Sequence, residues 1–203
     1  MKKLFFSLFF LFTIPLTYSQ NIKIIAGSGL TKVQSSKPIK PFNNNISVLS
    51  LALGFDFLEN EKYYLSNEIG FLQIGGKETS LEAPFPDYLE YEKKWNYLFV
   101  SSAFRYKLPS MKEQYYYFLG AGPKISFSMS SEGFQNTLYE DGYDLKSVIF
   151  GVNLEIGFIR KWERYNAGII VSYLLNVSPI AKSIANNLNS YPIYLNLSLG
   201  YVL

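Results

Sequence analysis

The 203-residue sequence contains neither cysteine nor histidine. Without thiols, disulfides, thiolate metal sites and a lipid anchor on an N-terminal cysteine are all excluded. Without imidazole, Ser-His-Asp, Asp-His and Cys-His machinery cannot be assembled, and metal centres built on histidine go the same way. Long apolar runs are missing beyond the first twenty residues, where no segment reaches the ~20 residues that a membrane-spanning helix needs. An excess of one charge is missing too: 19 Lys and Arg stand against 16 Asp and Glu, a net +3. Such a balance argues neither for nucleic acid nor for an acidic-lipid surface as a partner.

What is present begins with "MKKLFFSLFFLFTIPLTYSQ". Two lysines, an apolar run from Leu4 to Leu16 and small or polar residues at Thr17 and Ser19 describe a secretory signal cut after Ser19. Residues 1–19 are therefore expected to be a signal peptide and residues 20–203 one exported domain, left at about +1 once Lys2 and Lys3 are removed from the +3.

Past residue 20 the hydrophobic pattern has period two. It is clearest in "SVLSLALGFDF" (47–57), "YYYFLGAGPKISFSMS" (115–130), "SVIFGVNLEIGFI" (147–159), "YNAGIIVSYLL" (165–175) and "YLNLSLGYVL" (194–203). Fainter versions in "NIKIIAGSGLTK", "YYLSNEIGFLQIGGK" and "WNYLFVSSAFRYKL" bring the strand candidates to eight. Short connections at 59–62, 109–114 and 161–164 take turns with long ones at 33–45, 78–93, 130–146 and 177–190. This rhythm predicts an all-β fold, an eight-stranded antiparallel up-and-down barrel with both termini at the short-turn end.

Residue size says which face points inward. The polar face carries Gly120, Gly122, Ser126, Gly151, Asn153, Gly157, Gly168, Ser172, Asn196 and Ser198. A water-exposed strand would be dressed with longer polar side chains, whereas a cramped eight-stranded lumen has room for small ones. The apolar face is thus expected to meet lipid, which makes this a transmembrane β-barrel of the outer membrane with periplasmic termini. A soluble exported barrel that binds a small apolar ligand is the alternative, and it needs the faces exchanged. Aromatics make up 18% of the chain. Tyr63, Tyr64, Tyr115, Tyr116, Trp162 and Tyr165 flank the short turns, and Tyr91, Trp95, Tyr97, Tyr191 and Tyr194 the long loops, which suggests two interfacial belts. Pro123 lacks the N–H that a closed ladder requires, so a bulge or a broken ladder bond is expected there.

The early "GSGL" at 27–30, "LSNEIGFLQIGGK" at 65–77 and "FLGAGPKISF" at 118–127, with the alternating C-terminal strand, resemble the PorT-like outer-membrane β-barrels of Bacteroidetes. For most members the resemblance implies fold and location; for PorT itself it implies a part in protein secretion.

Four charged residues lie in phase with the small face: Glu68, Arg105, Lys124 and Glu155, with Asp56 near a short turn. At the lipid midplane Arg or Lys would cost ~2–4 kcal/mol, so these are expected to form an ion-paired network inside the lumen, with Lys124 paired to Glu68 or Glu155. General acid–base work by Glu68 and Glu155 would require them to converge on a substrate-sized cleft. The acids of "SLEAPFPDYLEYE" (Glu82, Asp87, Glu90, Glu92) and "YEDGYD" (Glu140, Asp141, Asp144) lack EF-hand spacing and read as solvated loops. Lys77 in "GFLQIGGKET" lacks the glycine five residues before "GK" and the following Ser or Thr of a phosphate loop. The long loops carry Phe85, Phe134, Tyr139 and Tyr143, and "SPIAKSIANNLN" is expected to make a short amphipathic turn of helix.

The reading is a non-enzymatic, cofactor-free barrel of structural or interaction type, either a surface display of its loops or an accessory of secretion or envelope assembly. Its partners would be outer-membrane lipid and a protein or glycan at the loops. A membrane-embedded lipid-modifying enzyme is the remaining alternative. Cell fractionation is the direct check: the protein is expected in the detergent-extracted outer membrane, and recovery in the aqueous periplasm would refute the reading.

Overall fold

The computed structural model describes residues 21–35, 44–79, 90–108, 114–129, 144–182 and 187–203. The expected signal peptide lies outside the described residues. In chain order the strands are β1 (Asn21–Thr31), β2 (Val33–Ser35), β3 (Ile46–Phe57), β4 (Tyr63–Thr79), β5 (Glu90–Leu108), β6 (Tyr115–Ser128), β7 (Asp144–Leu145), β8 (Val148–Lys161), β9 (Tyr165–Asn176), β10 (Ala181–Lys182), β11 (Asn187–Ser190) and β12 (Ile193–Val202). Eight of them close into a barrel in the order β1-β12-β9-β8-β6-β5-β4-β3, with β3 returning to β1 and every pair antiparallel. Each of the eight period-two stretches is one barrel strand. The first and last strands pair at the short-turn end, where Asn21 faces Val202.

The four remaining strands form a second sheet, β2-β11-β10-β7. β2 comes from the connection after β1, β7 from the one before β8, and β10 and β11 from the one between β9 and β12. Within the stretch expected to turn into helix at 178–189, the described residues 181–182 and 187–189 are therefore β-strand. Its apolar residues Ile180, Ala181 and Leu188 are fully buried, and its backbone finds ladder partners on both sides, in β2 and β7. A helical turn would forgo those bonds. The β4–β5 hairpin also runs further than expected, with pairing continuing to Thr79 and Glu90.

Alternation sorts the side chains. Leu195, Leu197 and Leu199 of β12 are 57%, 62% and 67% exposed, while Tyr194, Asn196 and Ser198 between them are buried. The same outward apolar phase recurs around the barrel, including Leu49, Leu51 and Leu53 of β3 and Phe150, Leu154 and Ile156 of β8. Such a surface is stable against hydrocarbon, and the opposite faces of a soluble ligand carrier are absent from the described strands.

The lumen is filled by a rule of complementary size. Five long inward side chains have a glycine directly opposite on a neighbouring strand: Lys23 faces Gly54, Arg105 faces Gly120, Lys124 faces Gly151, Phe118 faces Gly157 and Ile159 faces Gly168. A β-carbon at Gly157 would lie 2.3 Å from the Phe118 ring, and one at Gly54 would lie 2.6 Å from Lys23 Cε. The glycines thus supply the volume that the long side chains occupy.

Pro123 does break the ladder. On the β8 side it pairs with Val152; on the β5 side pairing stops at Ser101–Lys124 and resumes at Phe104–Ala121. The register is the same on both sides of the gap, so no extra residue is inserted and there is no bulge. The missing N–H falls in this gap.

The aromatic belts need a correction. At the short-turn end Tyr63, Tyr106, Tyr117, Trp162, Tyr165 and Tyr201 are outward and exposed, as a girdle requires. At the long-loop end Trp95, Tyr97 and Tyr194 point inward and are buried. Trp95 and Tyr97 share the phase of Phe99, Ser101 and Arg105 on β5, and all three aromatics belong to an internal apolar cluster with Leu72, Ile74 and Leu174. Tyr64 is likewise internal.

The close approach of β5 and β6 offers a test. A β-carbon at Gly122 would sit 1.9 Å from the Ser102 carbonyl oxygen and 2.6 Å from Ala103 Cα, both backbone atoms that cannot step aside. Gly122→Ala should cost ~1–3 kcal/mol of stability, while Ala121→Val on the exposed outward face should cost little. Thermal unfolding in detergent micelles measures both, and equal midpoints would contradict the packing described.

Candidate functional site

The charged side chains of the lumen are held by strands on several sides of the barrel. Arg105, on β5, bridges two carboxylates: its Nε donates to Glu155 Oε2 on β8 and its Nη2 to Glu68 Oε1 on β4, each at 2.6 Å. Asn153 Nδ2 donates to the other Glu155 oxygen at 2.7 Å. The guanidinium also lies over the Phe118 ring, 4.9 Å from its centroid. Arg105 is completely buried, and one planar fork facing two carboxylates is an arrangement that only arginine's geometry provides.

A second pair lies nearer the short-turn end. Lys23 Nζ is 2.7 Å from Asp56 Oδ1 and donates to Ser66 Oγ at 2.9 Å. Asn21 Nδ2 donates to Asp56 Oδ2 at 2.8 Å, and Asn166 Nδ2 donates to Asn21 Oδ1 at 3.0 Å, which carries the network from β3 across β1 to β9. Lys23 was legible from its phase, since it alternates with Ile22 and Ile24 and shares a face with Ile25 and Gly27.

Lys124 is placed differently from the expectation. The structure gathers Glu68, Arg105 and Glu155 into one cluster, but among the described residues no carboxylate lies within ion-pair distance of Lys124. Its ammonium sits over the Phe99 ring, 3.7 Å from the centroid. Arg105 already engages both acids, so the lysine is stabilised by an aromatic face. Phe99 is two residues from Ser101, the direct cross-strand neighbour of Lys124, and such a diagonal contact is not specified by sequence phase alone.

Both mouths of the barrel are obstructed. At the long-loop end Val33, Ile180, Ala181 and Leu188 of the small sheet and its approach are fully buried, in one cluster with Trp95, Tyr97 and Tyr194 from the barrel wall. Polar contacts tie this lid down: Thr31 Oγ1 and Ser190 Oγ are 2.7 Å apart, and Asn176 Nδ2 donates to the Ser190 carbonyl at 2.6 Å. At the short-turn end Glu59, in the β3–β4 turn, accepts from Lys107 Nζ at 2.7 Å and from Lys161 Nζ of β8. Lys107 also donates to the Asn60 carbonyl at 2.7 Å. The residue before Glu59, Leu58, is in the left-handed region at φ 53°, which turns the chain under the barrel. Neither Glu59 nor its lysines drew notice in the sequence, because their separations of 48 and 102 residues leave no local pattern.

Of the loop acids, Glu92 lies 2.8 Å from Lys94, and Asp144 is exposed in β7. Glu82, Asp87, Glu140 and Asp141 lie outside the described residues, as do Phe85, Phe134, Tyr139 and Tyr143. Lys77 pairs through its backbone with Asn44. Glu68 and Glu155 are both committed to Arg105, so the arrangement leaves neither as a free acid–base pair.

The chain is similar to solved outer-membrane barrels. Neisserial surface protein A superposes with a TM-score of 0.53 at 11% identity, over 90% of this chain and 97% of that one. The N-terminal β-barrel domain of Pseudomonas aeruginosa OprF gives 0.44 at 12%, over 91% and 99%, and Ail, the attachment invasion locus protein of Yersinia pestis, gives 0.42 at 14%, over 91% and 99%. No protein-family model matches the chain, and no curated protein matches it. The fold is that of an eight-stranded transmembrane β-barrel.

Two outcomes follow. Arg105→Met strands two buried carboxylates and should cost ~3–5 kcal/mol. Lys124→Met removes a cation–π contact and a longer-range attraction to Glu68 and Glu155, but it also spares the burial of a charge, and it should cost ~2 kcal/mol or less. Urea unfolding in micelles separates them, and a Lys124→Met penalty as large as that of Arg105→Met would show that Lys124 carries the network. The Glu59 clamp has a pH signature. Burial pushes its carboxyl up, but hydrogen bonds and charge from Lys107 and Lys161 outweigh this and hold it below the usual carboxylate range. Its contribution is therefore complete above that range and lost as pH falls through the depressed value. Wild type should be more stable than Glu59→Gln at pH 7, with the gap narrowing as pH falls below the usual carboxylate range; a gap that does not change with acidification would contradict the clamp.

Proposed function

We propose that this protein is an outer-membrane barrel of structural or interaction type, exported by a cleaved signal at residues 1–19, with periplasmic termini and a binding surface at the long-loop end. The observation that carries this reading is the lid. Three of the four long connections contribute strands to one sheet whose apolar side chains are buried on the barrel's internal cluster. A rigid wall supporting a folded platform is how barrels present recognition surfaces, and a lumen filled by its own side chains favours display over transport.

Lys182, Asn187 and Gln34 are exposed on this platform, and its partner in this reading is a protein or a glycan. The resemblance to PorT-like barrels of Bacteroidetes supports a place beside a secretion or envelope-assembly complex. Catalysis has no part in the proposal, because both lumen glutamates are occupied by Arg105.

Reconstitution and crosslinking test it together. Purified protein in a planar bilayer should add no ionic conductance, and a photo-crosslinker at Asn187 or Lys182 in living cells should capture a specific partner that the same group at Glu61 of the short turn does not. Steady conductance, or products from Glu61 alone, would overturn the reading.

A further inference from the structure

Around the β8–β9 turn exposed charges of both signs gather in one recess. Arg160, Lys161, Trp162, Glu163, Arg164, Tyr165 and Gln114 line a recess of about 630 Å³, within the ~300–1,000 Å³ range of small-ligand sites. Lys161 is engaged by Glu59. Among the described residues Arg160, Glu163 and Arg164 make no ion pair, and all three are exposed. Two free guanidinium groups and one free carboxylate thus share one recess.

The recess sits at a membrane boundary. Arg160 is on the outward, lipid-facing side of β8, directly beyond Phe158 in the same phase, and it pairs across the ladder with Ala167. Ala167 pairs in turn with Leu199, and the next outward pair along β8 and β9 is Phe158 with Ile169, so the outward surface beside the recess is apolar and continues into the lipid face. Trp162 and Tyr165 are 48% and 63% exposed and belong to the short-turn girdle. Whatever occupies the site has an anionic part within reach of arginine and an apolar part that continues along the strands.

We propose that this recess binds the headgroup of an ethanolamine-type glycerophospholipid. Arg160 and Arg164 hold the phosphate, which the guanidinium fork recognises through paired, charge-assisted hydrogen bonds. Glu163 takes the ammonium, and the acyl chains follow Phe158 and Ile169. The choice of ammonium rests on two features. Glu163 would repel a purely anionic headgroup. The Trp162 face, the natural seat for a quaternary ammonium, is already covered by the Arg160 guanidinium 5.1 Å from its centroid. Recognition therefore falls to a carboxylate that needs N–H donors, which a primary ammonium has and a choline group lacks. The inference uses only the barrel and its lipid boundary and holds whatever the opposite end binds.

Delipidated full-length protein in micelles, titrated separately with phosphatidylethanolamine, phosphatidylcholine and phosphatidylglycerol and read by native mass spectrometry, tests the site. Wild type should retain phosphatidylethanolamine about fivefold more than either other lipid. Arg160→Gln/Arg164→Gln should lose retention of all three, and Glu163→Gln should keep binding but lose the preference for ethanolamine. These residues are exposed, and thermal midpoints near wild type establish that the variants fold. The wild-type comparison needs no variant: equal retention of the three lipids overturns the proposal, as does undiminished phosphatidylethanolamine retention by the double arginine variant.

Discussion

Hydrocarbon offers no hydrogen bonds, so every backbone N–H and C=O within the bilayer must find a partner in the protein. A β-chain meets that demand only by closing on itself, and here β1 does so by pairing with β12 on one side and β3 on the other. Closure at eight strands fixes the rest. It leaves a lumen only wide enough for side chains, so length on one strand must be matched by emptiness on the next. The pairings of Lys23 with Gly54, Arg105 with Gly120 and Phe118 with Gly157 satisfy that condition. It also takes the internal charges away from bulk solvent, which is why Arg105 is shared by Glu68 and Glu155, and why Lys124 rests on an aromatic ring. One lapse is at Pro123, where the β5–β6 ladder skips and resumes in the same register.

The two ends then divide the work. The short-turn end is fastened from below by Glu59, which ties a turn to lysines on β5 and β8, and it carries the outward aromatic girdle and the basic recess around Arg160 and Arg164. The long-loop end is fastened from within. Trp95, Tyr97 and Tyr194 turn into the barrel and meet the underside of a sheet built from three separate connections. In the proposed function the platform end meets a partner outside the membrane, and the end whose aromatics and arginines face outward meets the membrane itself.

Much of this was legible in the sequence because a strand has an exact period of two side chains. All eight barrel strands, the alternation of short and long connections and the outward apolar face follow from it. So, in principle, does the inward position of Trp95 and Tyr97, which alternate with Asn96 and Leu98; reading them as a belt followed their proximity to a loop and neglected their phase. The rest depends on contacts that no period encodes. Phase places Arg105 and Lys124 in the lumen, but which of them meets the acids depends on strand register and reach. The lid escaped detection because Ile180, Ala181 and Leu188 owe their β-structure to partners in β2, β7 and the barrel wall, and local propensity gives way to such tertiary pairing.

The central claim is that one face of every barrel strand meets lipid and the other a filled, charge-paired interior. The absence of native cysteine makes the direct measurement simple: single cysteines at Leu195, Asn196, Leu197, Ser198 and Leu199, each spin-labelled in protein reconstituted into bilayers, with relaxation by lipid-soluble oxygen compared along β12. The account predicts high oxygen accessibility at 195, 197 and 199 and low accessibility at 196 and 198. A reversed alternation, or uniform access along the strand, would contradict it.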